Sequence, residues 1–201
     1  FLKNLSELGL ETWLNLTEQN WKSIQSLCAN KQIKLKRRHP RPHQKPAIKK
    51  AVTHFKDKKN SRGKLIMPCG TGKSLTAFWI AEALEAKKII LAVPSLHLIK
   101  QNLTDWVQEY LALGVNPEWM CVCSDQSAGD VQLDHFDIDL QDLGIPVTTN
   151  KDEIRSFLTK RSKAPKIIFT TYQSSSLLKQ VCKDQKIKFD LAIFDEAHKT
   201  V

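Results

Sequence analysis

The residue types that bind a phosphate group are concentrated in one eight-residue stretch, MPCGTGKS at positions 67–74. Gly70 and Gly72 let successive backbone N–H groups turn inward around an anion without a Cβ clash. Lys73 adds a positive charge for the outer phosphates of a nucleotide, and the Ser74 hydroxyl can ligate Mg²⁺. The stretch predicts a phosphate-binding loop of the G-x-x-x-x-G-K-[ST] type with methionine in the first glycine's place. A plain glycine-rich turn is the alternative.

A second group of chemically active residues follows an apolar run near the end of the chain. Residues 191–194 have the composition of a strand, and Asp195 and Glu196 come directly after them. Ligands of open α/β sheets bind at the carboxyl ends of the strands, so this pair is expected opposite the phosphate-binding loop. Asp195 would hold Mg²⁺ through water beside Ser74, and Glu196 would deprotonate the water that attacks the γ-phosphate. Taken alone, an Asp-Glu pair after a strand is also typical of a helix N-cap.

Strands and helices are predicted to alternate along the chain, which places these residues in the loops between them. Apolar runs predict the strands, and amphipathic stretches predict the helices that cover them. Asn150, with Glu153 at the third helical position, predicts the cap of a further short helix. The fold class is therefore α/β, with a parallel sheet and helices on both faces. The predicted strands are 64–67, 89–93, 119–124, 166–170 and 189–194, and the longer helices are 43–58, 73–86, 96–113 and 173–182.

The chain ahead of this domain divides into two segments. Residues 1–30 show mixed helical periodicity and are expected to form a short helical appendage or the end of a preceding domain. Residues 31–42 form a basic linker whose last prolines fix an extended entry. The α/β domain is expected to occupy 43–201. Because the first residues lack Met and the chain stops just after the Asp-Glu pair, we expect it to be part of a longer protein.

Composition excludes several classes of protein. The chain has 201 residues and is 41% hydrophobic, enough for a sizeable core, but it contains no apolar run of the roughly 18 residues that a membrane span needs. The five cysteines are scattered and none has Cys-x-x-Cys spacing. We therefore expect a reduced cytoplasmic protein with no disulfide framework and no zinc site, and no contact with a membrane. The alternating Cys121 and Cys123 are expected to be buried.

The net charge of +10 is unevenly distributed along the sequence. Fourteen Lys and Arg residues lie between positions 31 and 64 against one acid, Asp57. Such a block favours a polyanionic partner through contacts with phosphates, and a solvated connector is the alternative. Six Asp and no Lys or Arg lie between positions 125 and 142, which we interpret as an acidic surface loop.

The sequence GTGKS at 70–74, taken with DEAH at 195–198, resembles motifs I and II of superfamily 2 helicases and translocases. Three further stretches match motifs of that superfamily in the same order. They are RPHQ at 41–44, similar to the adenine-reading glutamine segment, VPSL at 93–96 with Gln101, similar to motif Ia, and TTYQS at 170–174, similar to a later DNA-contacting motif. The resemblance covers residues 39–201 and implies a RecA-like P-loop NTPase domain.

Three stretches narrow the resemblance within the superfamily. Residues 67–74, 123–125 and 190–198 look most like the motors of type I, type III and single-polypeptide restriction enzymes and related helicases. This implies the first motor domain of an ATP-dependent DNA translocase that uses ATP and Mg²⁺ and acts on DNA, most readily duplex DNA. It also implies a nuclease or methyltransferase domain elsewhere in the parent protein. A second RecA-like domain is absent from the sequence, so the chain alone is expected to bind ATP weakly and hydrolyse it very slowly.

The resemblance also implies roles in ATP binding for single residues. Gln44 has an amide that donates and accepts at once, which suits the adenine edge, and Arg41 would help at the base. A solvated glutamine and one more linker charge are the alternatives. The residues expected to bind ATP are Arg41, Gln44, Cys69, Gly70, Thr71, Gly72, Lys73 and Ser74.

Four residues are implied in nucleic-acid binding or its coupling to ATP. Ser95, Thr170 and Thr171 would contact phosphates of a nucleic-acid strand at the ends of their strands, with helix capping as the alternative for Ser95. His198 would link the ATP site to nucleic acid, or be only structural. Tyr172 is more typical of a core aromatic than of a base-stacking residue.

Two other functions remain open from the sequence. An RNA helicase would carry the same order of motifs, and the DEAH tetrad does not separate the two because restriction motors also use it. A nucleic-acid-binding module with a purely structural nucleotide site is the alternative from another class. The joint presence of Lys73, Ser74, Asp195 and Glu196 argues against that module.

Overall fold

A parallel sheet of five strands forms the centre of the computed structural model, which describes residues 14–19, 21, 22, 25, 35–123 and 145–197. The strands lie in the order β3-β2-β4-β1-β5, so β1 and β4 are interior and β5 is at one edge. All neighbouring pairs are parallel. The predicted α/β class is confirmed. The strands are β1 (Lys88–Val93), β2 (Glu118–Val122), β3 (Val147–Thr148), β4 (Lys166–Thr171) and β5 (Leu191–Phe194).

Helices cover both faces of the sheet, as the alternating pattern predicts. They are α1 (Gln44–Val52), which continues as a π-helical turn (Thr53–Asp57), α2 (Lys73–Ala83), α3 (Leu96–Ala112), α4 (Lys151–Thr159) and α5 (Ser175–Asp184). Successive strand residues point to opposite faces, so the sheet separates two cores. One packs against α2 and α3 and includes Phe78, Leu91, Trp106 and Phe169. The other packs against α4 and α5 and includes Val122, Ile154, Ile168 and Leu178.

The N-terminus of α4 confirms one part of the predicted cap and not the other. Asn150 Oδ1 accepts hydrogen bonds from the backbone N–H groups of Asp152 and Glu153, at 2.9 and 3.4 Å. The predicted hydrogen bond from the Asn150 N–H to the Glu153 side chain is not formed, so this part of the prediction is wrong. Thr148 takes both roles instead: its Oγ1 accepts from Asn150 N at 3.0 Å and donates to Glu153 Oε2 at 2.7 Å. A hydroxyl inserted between the two partners therefore replaces the direct bond.

The prediction of a strand at residues 64–67 is wrong for this structure. This segment is irregular, and Leu65 and Ile66 are 47% and 80% exposed. A strand needs a neighbour for its backbone hydrogen bonds, and in the described part of the chain β5 pairs only with β1. The short strand β3 was not predicted, because two residues carry no detectable alternation. The predicted acidic loop at 125–142 lies outside the described residues.

The basic linker is attached to the domain by two arginines. Arg37 donates to both carboxylate oxygens of Glu82 on α2, at 2.6 and 2.8 Å. Arg38 forms ion pairs with Asp105 and Glu109 on α3, at 2.8 and 3.1 Å, and the Glu109 side chain is only 1% exposed. A buried carboxylate needs such a partner, so this part of the linker is structural and not a solvated connector.

One smaller prediction about the chain is confirmed in the described residues. Cys121 and Cys123 are buried, as their alternation indicated. None of the helices in the described ranges is both long and apolar enough to cross a membrane. The helical appendage predicted for 1–30 lies mostly outside the described residues.

Candidate nucleotide and nucleic-acid site

The parallel register brings the predicted site residues to one edge of the sheet. Val93 at the end of β1 is opposite Thr171 on β4, and Ala92 is opposite Phe194 on β5. Because the three strands end together, the segments that follow them are neighbours. These segments carry Ser95 two residues after β1, Tyr172 directly after β4, and Asp195 and Glu196 directly after β5.

The predicted phosphate-binding loop leads into α2 through two residues with left-handed backbone. Gly70 has φ +73° and Gly72 has φ +80°, and α2 begins at Lys73. Thr71 Oγ1 donates to the carbonyl of Pro68 at 2.7 Å, which closes the turn between the glycines. Both backbone angles favour glycine, as the sequence pattern requires.

Gln44 holds this loop from the first turn of α1. Its Nε2 donates to the carbonyls of Thr71 and Gly72 at 3.0 and 3.2 Å, and its Oε1 accepts from Arg41 N at 2.8 Å. The side chain is 2% exposed. The contact with adenine stays a prediction, since this buried amide already has protein partners at both ends.

A prediction follows from the different surroundings of the two loop glycines. A Cβ on Gly72 would lie 2.7 Å from Gln44 Nε2, whereas a Cβ on Gly70 would meet nothing within 4 Å. We expect Gly70→Ala to cost about 1–2 kcal/mol of unfolding free energy through its backbone alone. Gly72→Ala should cost about 1–3 kcal/mol more, because it also displaces a buried amide from its partners. Thermal unfolding of the two variants without nucleotide measures the difference, and equal melting temperatures would contradict it.

The predicted phosphate-binding lysine and the predicted catalytic glutamate contact each other. Lys73 Nζ donates to Glu196 Oε1, and both side chains are about a quarter exposed, 27% and 23%. This hydrogen bond raises the pKa of Lys73 above its ordinary value, although partial burial opposes it. Burial raises the pKa of Asp195, while the charge of Lys73 acts in the opposite direction. Glu196 has φ +54°, which is unusual for a residue with a side chain and aims it from a tight turn.

Helix α3 approaches the loop from its other side. Ser74 Oγ donates to Asn102 Oδ1 at 2.6 Å, and Trp106 Nε1 donates to the Ser74 carbonyl at 3.2 Å. Sequence reasoning singled out Gln101 on this helix, but Gln101 is exposed and its neighbour Asn102 is buried. A signal was present, since Asn102 interrupts the apolar face that includes Ile99, Leu103 and Trp106.

The residues predicted to contact nucleic acid differ in exposure. Ser95 is half-buried at the N-terminus of α3. Thr170 is 1% exposed and its hydroxyl donates to the Val122 carbonyl at 2.8 Å. Thr171 is 7% exposed and its hydroxyl donates to Ser174 Oγ at 3.2 Å. In this arrangement both threonines hold the sheet edge together, so their contact with phosphates stays a prediction that requires this edge to rearrange.

Tyr172 joins the edge of β4 to the acidic pair. Its hydroxyl donates to the Asp195 carbonyl, and its ring stacks on Phe194 with 6.3 Å between centroids. Partial burial, helped by the charges of Asp195 and Glu196, raises the pKa of Tyr172 to about 12. Tyr172 is half-buried and belongs to neither core, so the prediction of a core aromatic is only partly met. His198 lies outside the described residues, so its coupling role stays a prediction.

Comparison with known proteins identifies the family to which this arrangement belongs. Residues 37–201 match the family model described as the res subunit of Type III restriction enzymes. The chain belongs to this family. The restriction-type helicase motor expected from the motifs is thereby confirmed at the level of the family.

The proteins that resemble this chain include a viral helicase and two restriction enzymes. The chain is 32% identical over 144 residues to "Probable helicase A859L" of African swine fever virus. The aligned region covers 71% of the chain and 14% of the viral protein. The Type ISP restriction-modification enzyme LlaGI, solved with a DNA substrate mimic, matches 80% of the chain with TM-score 0.61 and 32% identity. LlaBIII, an ATP-dependent Type ISP enzyme solved bound to DNA, matches 82% with TM-score 0.66 and 32% identity. The chain spans only 15% and 11% of those two proteins.

Proposed function

We propose that this chain is the first, ATP-binding motor domain of an ATP-dependent DNA translocase from a restriction-modification or related defence enzyme. The observation that supports this most is the contact of Lys73 with Glu196 at the sheet edge. In the sequence Lys73 is followed directly by Ser74, and Glu196 is preceded directly by Asp195. The chain covers a small part of its relatives, so the parent protein would supply the second RecA-like domain and a nuclease or methyltransferase domain.

Each site residue has a distinct role in the proposed hydrolysis of ATP. Lys73 would bind the outer phosphates, and Glu196 would accept a proton from the attacking water. The hydroxyl of Ser74 and the carboxylate of Asp195 are hard oxygen donors of the kind that Mg²⁺ prefers, so these two residues would hold the ion. When bound, Mg²⁺ would neutralise charge on the phosphates. The Lys73–Glu196 contact must open, because both side chains have other partners in this reaction.

The proposal of DNA as the partner has two kinds of support. The solved structural neighbours are described as bound to DNA or to a DNA mimic. This chain also carries an exposed basic surface on α1 and the segment after it, which we call the α1 lysine face. Among the described residues only Lys56 of this face has an acidic partner, Glu85 at 3.4 Å. The face consists of Lys45, Lys49, Lys50, Lys56, Lys58, Lys59, Arg62 and Lys64.

The α1 lysine face yields a prediction about DNA binding. We expect Lys49→Glu with Lys50→Glu to weaken binding of duplex DNA to the chain roughly tenfold or more near 100 mM salt and to reduce the salt dependence, because phosphate contacts release counterions. Lys160→Glu with Arg161→Glu is the matched control, since it makes the same charge change in a basic pocket that also includes Lys87 and Lys88. Fluorescence anisotropy measures both, and equal losses would assign the effect to net charge alone.

The test of the proposed function compares nucleic acids as stimulators. ATP hydrolysis by the full-length protein that contains this chain should rise strongly with duplex DNA and little with RNA. Stimulation by RNA and not DNA would favour an RNA helicase instead. The isolated chain should bind ATP weakly and turn it over very slowly, and DNA-stimulated turnover at the rate of an intact motor would contradict that part of the proposal.

A further inference from the structure

A buried amide connects the phosphate-binding loop to helix α3. Asn102 is 2% exposed and lies outside the sequence motifs described above. Its Oδ1 accepts from Ser74 Oγ at 2.6 Å, and its Nδ2 donates to the carbonyl of Leu98 at 2.8 Å. An amide nitrogen can only donate, so the Leu98 carbonyl determines which end of the amide faces Ser74.

The same face of α3 holds Ser74 at a second point. Trp106 follows Asn102 by four residues and therefore lies on the same side of the helix. Its Nε1 donates to the Ser74 carbonyl at 3.2 Å. The ring is fully buried and makes edge-to-face contacts with Phe78 and Phe169, at centroid distances of 5.5 and 6.4 Å. Both the hydroxyl and the carbonyl of Ser74 are thus fixed by α3.

We propose that Asn102 is a positioning residue that orients the Ser74 hydroxyl for Mg²⁺ and links it to the first turn of α3. This inference rests on the proposed function. A serine hydroxyl has one proton and two acceptor lone pairs. Because Asn102 accepts the proton, both lone pairs of Ser74 Oγ stay available to a cation. Without that acceptor the proton would turn toward the oxygens that bind the ion or the phosphates.

The link from Asn102 to the predicted nucleic-acid contact runs within one helix. Leu98 lies in the first turn of α3, and its N–H donates to the capping hydroxyl of Ser95 at 3.5 Å. Ser95 is the acceptor in this bond, so its hydroxyl proton can still be donated to a phosphate oxygen. A shift of the first turn moves the Leu98 carbonyl and with it the amide of Asn102. The path from Ser95 to Asn102 is about 10 Å long at the rise of an α-helix.

The decisive experiment measures the Mg²⁺ requirement of ATP hydrolysis in the full-length protein that contains this chain. Asn102→Leu should raise the Mg²⁺ concentration for half-maximal rate about tenfold or more, the usual size for a lost outer-shell partner. Excess Mg²⁺ should restore much of the rate, and stimulation by DNA should fall. Thr104→Leu, on the exposed side of the same helix, should change neither quantity.

A second variant separates the two links of Asn102. Asn102→Asp keeps an acceptor for Ser74 but replaces the donor to Leu98, so it should retain a near-normal Mg²⁺ requirement and lose stimulation by DNA. If Asn102 were merely structural, Asn102→Leu would lower the melting temperature and the rate of ATP hydrolysis but leave the Mg²⁺ requirement unchanged. That result would overturn the proposal. Lys73→Ala is measured in parallel to test the proposed function itself. If ATP hydrolysis survived Lys73→Ala, the proposed function would be wrong, whatever the result for Asn102.

Discussion

Glu196→Gln is expected to lower ATP hydrolysis by the full-length protein about 10²–10⁴-fold, the usual contribution of a general base. Glutamine has nearly the same shape as glutamate but cannot accept the proton of the attacking water. In the structure Glu196 also contacts Lys73. Neutralising it frees the ammonium for phosphate and removes a negative charge beside the nucleotide. ATP binding should therefore be kept or become tighter while turnover is lost.

The measurement for Glu196→Gln combines binding and turnover. Titration with a fluorescent ATP analogue gives the affinity, and phosphate release gives the rate. Glu153→Gln is a matched control, because this exposed glutamate lies on α4 and its hydrogen bonds to Thr148 and Asn150 belong to the cap of that helix. If Glu196→Gln weakened ATP binding and left the rate at saturating ATP unchanged, Glu196 would be a binding residue and not the base.

Lys73→Ala is expected to reduce both ATP affinity and hydrolysis. Removing one charged group that stabilises the transferred phosphate costs about 3–4 kcal/mol, which corresponds to a loss of roughly 10²–10³-fold in kcat/KM. The two variants should thus differ in kind, since only Lys73→Ala loses binding. Lys64→Ala removes an exposed lysine just ahead of the loop and should leave ATP binding unchanged.

The result for Lys73→Ala also separates the proposed motor from a non-catalytic module. Intact ATP hydrolysis in this variant would mean that the phosphate-binding loop does not act on ATP. A nucleic-acid-binding module with a structural nucleotide site would then be favoured. Retained binding of DNA in Lys73→Ala is expected under either function, because the α1 lysine face does not include Lys73.

Much of the fold could be predicted because its signals are local. The apolar runs of β1 and β4 are longer than a turn and flanked by polar residues, and the structure contains both strands within one or two residues of the predicted ends. The strand predicted at 64–67 failed for the opposite reason. Its four residues have the right composition, but strand formation depends on a neighbour that local sequence cannot reveal.

The residue types of the candidate site stand out in the sequence, whereas the contacts between them do not. Glycine, lysine, serine and the acidic pair can be recognised in the sequence because phosphate and Mg²⁺ chemistry requires those types. The contact of Lys73 with Glu196 joins residues 123 positions apart and depends on the strand order. Asn102 was missed for a related reason. A single amide on an apolar helix face marks a position but does not identify its partner, which tertiary packing supplies and which here is Ser74.

The paired arginines ahead of the domain have a mechanical consequence. Arg37 forms an ion pair with α2, the helix that follows the predicted phosphate-binding loop. Arg38 forms an ion pair with α3, the helix capped by Ser95. Tension on the chain before residue 37 is therefore shared between two helices at once and does not pass through α1 alone. Both helices carry residues of the candidate nucleotide site, Lys73 and Ser74 on one and Asn102 on the other, so such a load would act on that site.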